Sequence, residues 1–203
     1  MTMIIDYGMG NLMSVYRKVK QIDSNVIISS SPNDLKNADK IIIPGVGNFG
    51  SGVKKLKEYN LWDEILYQVE DKKKPILGIC LGMQLMAQSS AEGDVNGFGW
   101  VNGKVIKFVS DDIRFKVPHM GWNTLSQIED NPLLRGINKD SEFYFVHSYY
   151  LPSVERSHTI GKTDYIIEFD SVIAKDNIFG TQFHPEKSHS DGYKLLENFI
   201  LYV

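Results

Sequence analysis

The chain has 203 residues, 42% of them hydrophobic and 23% charged, with a formal net charge of −3, which suits a globular protein large enough for a sizeable core. That balance gives no electrostatic footing for nucleic acid or an anionic membrane, and no apolar run nears the roughly 18 residues of a membrane span. A single cysteine excludes an internal disulfide and a multi-cysteine metal site. With no signal segment after Met1, a cytoplasmic protein is expected.

The N-terminal half alternates strand and helix. Met3-Ile4-Ile5 reads as a first strand, stopped by Asp6-Tyr7-Gly8-Met9-Gly10-Asn11. Leu12, Val15, Tyr16, Val19 and Ile22 then recur at helical spacing. Val26-Ile27-Ile28 is a second strand, after which Asp34 is expected to cap a short helix. A third strand over 40–43 runs into Pro44-Gly45-Val46-Gly47, with a helix carrying Val53 and Leu56 behind it. Leu61, Trp62, Ile65, Leu66 and Val69 form another helical face that ends at Lys72-Lys73-Lys74, a basic run read as a solvated helix end rather than a phosphate site. Pro75, Ile76, Leu77 and Ile79 make a fourth, buried strand, and helix formers follow from Met83 to Ala87.

This alternation predicts an α/β fold, a doubly wound and mostly parallel sheet with its functional loops at the carboxyl ends of the strands. Past Gly93 short β signals at 97–100, 104–109, 122–125, 143–150 and 165–175 predict an antiparallel β extension in the C-terminal half. Leu195, Leu196, Phe199 and Ile200 give a closing helix. No repeat, low-complexity tract or linker interrupts the chain, so one domain spanning 1–203 is expected.

Three stretches carry chemistry. Gly78-Ile79-Cys80-Leu81-Gly82, between a buried strand and a helix, has the form of a nucleophile elbow with cysteine in place of serine. A nucleophile in a strained turn needs neighbours without side chains, and a helix start favours the reactive thiolate. The plain alternative is a small buried residue at a strand end. In Gly180-Thr181-Gln182-Phe183-His184-Pro185-Glu186, Pro185 biases His184 towards an extended conformation. On an extended segment His184 and Glu186 face the same way, so the carboxylate could orient the imidazole. With Cys80 the set becomes nucleophile, general acid/base and orienting group. Gly45, Val46 and Gly47 sit at the end of a buried strand, on the same edge as the elbow, where backbone N–H groups could hold an oxyanion. Without that shared edge the same loop is an ordinary strand-to-helix turn.

Gly78-Ile79-Cys80-Leu81-Gly82-Met83-Gln84 together with Phe183-His184-Pro185-Glu186 resembles the class I, or triad, glutamine amidotransferases. The stretches 6–11, 44–47, His119-Met120-Gly121-Trp122-Asn123, 143–149 and Lys187-Ser188 narrow the likeness to the glutaminase subunits of imidazole glycerol phosphate synthase, over essentially the whole chain. Met9 stands where many members carry proline. The resemblance implies Cys80 as nucleophile on the amide of L-glutamine, His184 as proton carrier and Glu186 as its orienter. Leu81 N–H and a donor of the Gly45, Val46, Gly47 loop would hold the oxyanion, while Gln84, Glu92, Ser148 and Tyr149 would grip the amino-acid head.

It also implies a (β/α)8 cyclase partner that receives the ammonia and makes imidazole glycerol phosphate and an aminoimidazole carboxamide ribotide. Asn11, Met120, Trp122, Tyr144 and Lys187 would face that partner, Met120 and Trp122 from an expected loop. With no synthetase segment after the closing helix, the acceptor would be handled by another polypeptide. His119 and His147 read as structural, His158 and His189 as surface residues, and neither a metal site nor a cofactor is expected. A paralogue feeding another acceptor, such as a sugar, a cysteine hydrolase of another class and an inactive interaction module are the competing readings. Glutamine against peptides as substrates separates a glutaminase from such a hydrolase.

Overall fold

The computed structural model describes residues 1–152 and 158–203. In chain order β1 (Thr2–Ile5), α1 (Leu12–Ile22), β2 (Val26–Ser29), α2 (Pro32–Asn37), β3 (Lys40–Gly45), α3 (Phe49–Glu58), α4 (Trp62–Leu66) and β4 (Ile76–Cys80) form the expected βα series. A short helix α5 (Leu81–Gln84) follows, then β5 (Ala87–Ser90), β6 (Val95–Asn96), β7 (Val101–Lys107), β8 (His119–Thr124), β9 (Gln127–Ile128), β10 (Glu142–His147) and β11 (Tyr149–Tyr150). The chain closes with β12 (Thr159–Asp164), β13 (Glu168–Lys175), β14 (Ile178–Thr181) and α6 (His189–Tyr202).

The main sheet has the order β2-β1-β3-β4-β14-β13-β12-β9. Pairings from β2 through to β14 are parallel, and those from β14 through to β9 antiparallel. The parallel strands are apolar on both faces because helices cover both. Met3, Ile5, Ile41 and Ile43 pack with Phe49, Val53, Leu56 and Ile65 on one side. Ile4, Ile42, Leu77 and Ile79 pack with Val15, Val19, Leu195 and Phe199 on the other. Smaller sheets, β10-β8 and β11-β7-β5-β6, complete the extension.

Several local expectations change. Ser31, not Asp34, caps α2: its hydroxyl accepts the Asp34 N–H at 3.4 Å, because Pro32 starts the helix and places Asp34 in its first turn. Lys74 is not merely solvated, since its ammonium donates to the Leu35 and Lys36 carbonyls at 3.1 and 2.7 Å, near the end of α2. The helix after Cys80 stops at Gln84, short of Ala87. Phe98 and Val101 N–H groups donate to the Leu85 and Met86 carbonyls, so these carbonyls find partners outside a helix and Ala87 enters β5. Residues 97–100 form no strand, while β12 and β14 arise where no separate strands were expected.

Candidate active site

Cys80 stands at the junction of β4 and α5 with φ 54° and ψ −106°, a conformation costly for a residue with a side chain. The flanking glycines make it possible. A Cβ on Gly82 would overlap the Ile43 carbonyl oxygen, and one on Gly78 would lie 2.6 Å from backbone atoms of Gly82 and Met83. The elbow is therefore present and tightly packed, as those glycines suggested.

Strand β14 lies parallel beside β4, with Gly180 opposite Gly78 and Thr181 opposite Ile79. This register carries Gln182 and His184 to the Cys80 sulfur. The His184 N–H donates to the Tyr144 carbonyl at 2.9 Å, and the residue is extended, φ −101° and ψ 94°, as Pro185 requires. The His184–Glu186 pair forms for a different reason from the one expected. Pro185 opens a 3-10 turn over Pro185–Lys187, and that turn, not an extended segment, brings the carboxylate back. His184 Nδ1–H donates to Glu186 Oε1 at 2.9 Å, with both side chains buried. Nδ1 is thereby committed, while Nε2 and Glu186 Oε2 have no hydrogen-bond partner at rest. Burial alone would depress the imidazolium, but the Cys80 sulfur and Glu186 outweigh it and hold the His184 pKa well above its ordinary value. A thiol, an imidazole and a carboxylate so arranged can carry out acyl transfer.

A pocket of about 410 Å³ opens over the sulfur, lined by Val46, Gly47, Cys80, Leu81, Gln84, Glu92, Pro118, Val146, His147, Ser148 and Tyr149. A larger groove of about 770 Å³ lies between 128–137 and Tyr202, but it places no nucleophile beside a base. Chemistry, not size, selects the smaller one. Of the oxyanion candidates, Leu81, Val46 and Gly47 reach the pocket, and Leu81 begins α5, where N–H groups lack intrahelical acceptors. Gly45 ends β3, opposite Cys80, where a Cβ would overlap the Tyr7 hydroxyl. That hydroxyl is fully buried without a partner, and burial, with the Cys80 charge, pushes its pKa up. Met9, in the same first loop, touches Gly47: its methyl end lies 3.1 Å from where a Cβ would stand.

All four candidates for the amino-acid head line this pocket. The Gln84 amide nitrogen donates to the Tyr149 carbonyl at 2.9 Å and to Gln182 Oε1 at 3.1 Å, which leaves its own oxygen as the group it can offer a ligand. Glu92 Oε2 accepts the Phe49 N–H at the start of α3, at 2.7 Å. The Ser148 carbonyl accepts from Phe108 N–H. Gln182 and Tyr7 are the neighbours that sequence reasoning left without a role. Gln182 stands within the heptapeptide 180–186, but its approach to Cys80 depends on the β4–β14 pairing.

Met120 and Trp122 lie on strand β8, not in a loop, and are 62% and 44% exposed. Trp122 pairs with Tyr144 across β10, their rings 5.8 Å apart and edge to face, and Lys187 Nζ lies 5.6 Å from the Tyr144 ring centre. Four of the five expected partner-facing residues thus share one patch. Asn11 is exposed and caps α1, its oxygen accepting the Ser14 N–H at 3.4 Å. The opposite face of the β8–β10 ribbon buries His119, Phe143, Phe145 and His147. Both histidines are structural in their bonding, as expected, and burial lowers their pKa values to about 4 and about 3. His189 is exposed, whereas His158 is half-buried.

A sequence profile described as "Glutamine amidotransferase class-I" matches residues 3–203. The "Imidazole glycerol phosphate synthase subunit HisH" of Methanocaldococcus jannaschii is 48% identical, covering 97% of this chain and 97% of that protein. The "Imidazole glycerol phosphate synthase subunit HisH 2" of Methanococcus maripaludis is 47% identical, covering 98% of each. Among solved structures, a glutamine amidotransferase superposes with a TM-score of 0.74 at 15% identity, covering 98% of this chain and 96% of that one. The Trypanosoma brucei CTPS glutaminase domain with bound acivicin gives 0.70 at 17% identity, covering 98% and 91%. At those identities the superpositions speak for the fold, while the profile and the relatives speak for descent: the chain belongs to the class I glutamine amidotransferase family.

Proposed function

We propose that the chain is a glutaminase subunit that hydrolyses L-glutamine to glutamate and ammonia. The ammonia passes to a (β/α)8 cyclase, which forms imidazole glycerol phosphate and an aminoimidazole carboxamide ribotide in histidine biosynthesis. The observation that carries this reading is the buried His184–Glu186 pair, 2.9 Å apart, beside an elbow cysteine that opens into a pocket of ligand size, about 410 Å³. Relatives at 47–48% identity over nearly the whole chain, both subunits of imidazole glycerol phosphate synthase, support the acceptor chemistry.

In the reaction the Cys80 sulfur attacks the side-chain amide carbon, and the oxyanion takes N–H donors from Leu81 and from the Val46–Gly47 segment. His184, protonated at rest by its raised pKa, gives its proton to departing ammonia and then takes one from the water that attacks the thioester. Glu186 keeps Nδ1 as donor, so Nε2 does the transfer. Gln84, Glu92, Ser148 and Tyr149 hold the amino-acid head. Met120, Trp122, Tyr144 and Lys187, with Asn11, face the cyclase, and residues 1–203 work as one cytoplasmic domain.

Cys80→Ala is expected to abolish glutamine hydrolysis while a pull-down with the cyclase subunit is unchanged. Hydrolysis near wild type in that variant would overturn the assignment.

A further inference from the structure

Gln182 is completely buried, and its amide nitrogen donates towards the Cys80 sulfur at 3.7 Å. Which end of the amide faces the sulfur is decided by a chain of bonds that starts at a backbone carbonyl. The Tyr149 oxygen can only accept, so Gln84, 2.9 Å away, must present N–H to it. The second Gln84 N–H then points to Gln182 at 3.1 Å and requires an oxygen there. Gln182 is left with N–H groups on its other side, where the sulfur lies. The Tyr149 oxygen also accepts His147 Nδ1–H at 2.8 Å, so His147 Nε2 is an acceptor, and His119 Nδ1–H supplies its proton at 3.1 Å. The Tyr149 carbonyl thus accepts from both His147 and Gln84, and from that carbonyl to the sulfur, through Gln84 and Gln182, no link is free to reverse.

An N–H aimed at sulfur favours the charged form over the neutral one. The thiol's own acceptor, the Val146 carbonyl, stands 4.0 Å off, at the limit of such a bond. Resting on the reading of Cys80 as nucleophile, we propose that Gln182 is a further catalytic residue. Its amide holds the Cys80 thiolate before attack and receives it again when the thioester breaks, and Gln84 locks that amide in the donating orientation. When glutamine is attacked, the S–C bond forms, the C–N bond breaks and ammonia leaves with the His184 proton. When water attacks, its proton returns to His184, the C–S bond breaks and the electron pair goes to sulfur, where the Gln182 N–H meets it. The amide thus assists the second half of the reaction as well as preparing the first.

The test compares the intact wild-type chain with Gln182→Met, which keeps length without a donor, and Gln182→Glu, which replaces the donor by an acceptor. Alkylation of Cys80 by iodoacetamide is followed across pH, with melting curves as the check on folding. A hydrogen bond to a charged group corresponds to about a tenfold to hundredfold change in an equilibrium. The half-plateau pH of alkylation should therefore rise by about one to two units in Gln182→Met. A larger rise is expected in Gln182→Glu. Thioester breakdown, read as accumulation of acyl-enzyme after rapid quenching, should slow by a similar factor. A folded Gln182→Met with an unmoved profile overturns the proposal. Should either variant fail to fold, the assigned Gln182 side-chain amide resonances of wild type decide. They are expected to shift over the same pH range as alkylation and to stop doing so in Cys80→Ala; amide signals indifferent to both overturn the proposal. Glutaminase activity in Cys80→Ala would instead overturn the reading of the nucleophile, whatever Gln182 does.

Discussion

The elbow at 78–82 and the loop at 45–47 both border the Cys80 sulfur and both depend on glycine, yet they are held very differently. At the elbow an added Cβ meets backbone: the Ile43 carbonyl from Gly82, and Gly82 and Met83 atoms at 2.6 Å from Gly78. Those atoms belong to β3 and α5, and none moves without disturbing the sheet or the helix that caps the elbow. At Gly47 the same atom meets only the end of the Met9 side chain, at 3.1 Å, and the neighbouring Val46 is 42% exposed. Gly47 itself sits at φ +105°, where glycine alone is at ease. Cys80, the proposed nucleophile, is built into the core, while the segment proposed to supply an oxyanion donor rests on an adjustable surface. Such a division predicts that a docked partner can tune catalysis through the loop without disturbing Cys80.

The contrast breaks first at Gly82. Gly82→Ala is expected to cost about 3 kcal/mol or more, because rigid backbone must move to admit the methyl group. Urea unfolding would show it, and near wild-type stability would mean that the elbow is softer than its packing. Gly47→Ala should lose only about 1–3 kcal/mol of stability, through backbone strain. Its main effect should fall on turnover, by roughly 10²–10³ if one oxyanion donor is misplaced. In wild type, cyclase and its ligand should raise kcat for glutamine hydrolysis far more than they lower KM, and Gly47→Ala should blunt that activation. Gly45 cannot serve for this test: any side chain there, proline included, meets Tyr7 before it reports on the loop.

Two buried histidines near Cys80, His184 and His147, sharpen the contrast through pH. Burial opposes protonation of His184, but Cys80 and Glu186 raise its pKa, so its contribution to stability is complete below an unfolded-state value of about 6.5 and is lost as pH rises through the elevated native one. His147 behaves in the opposite sense. Burial lowers its pKa to about 3, so its contribution is present above about 6.5 and lost as pH falls through the native value. Urea midpoints across pH should lose their alkaline slope in His184→Gln and part of their acid slope in His147→Gln. Unchanged slopes would remove these residues from the pH response. The smallest effect belongs to Tyr7→Phe, which removes a buried hydroxyl without a partner and should raise stability by about 1 kcal/mol. A loss instead would mean that the hydroxyl finds a partner once the loop above it moves.

Local chemistry was enough to reveal the βα series and the elbow, and to single out Cys80, His184 and Glu186 as the proposed triad. Buried parallel strands are apolar throughout, and α1 repeats its apolar residues every three or four positions. A cysteine set between two glycines at a strand end carries the mark of a strained turn in its own neighbours. Motif likeness reached further, to the pocket residues and most of the exposed patch on β8 and β10, because such motifs record contacts made far apart in the chain. Only the tertiary structure decided that β14 enters the main sheet parallel to β4, which brings Gln182 and His184 to a cysteine about a hundred residues earlier. It also decided that a 3-10 turn, not an extended segment, joins His184 to Glu186, that the elbow helix ends after Gln84, and that Met9 and Tyr7 lie against the oxyanion loop. The physical reason is the same in each case. Strand order and loop-on-loop packing follow from non-local burial and from where backbone groups find partners, and neither leaves a periodic trace in the residues themselves.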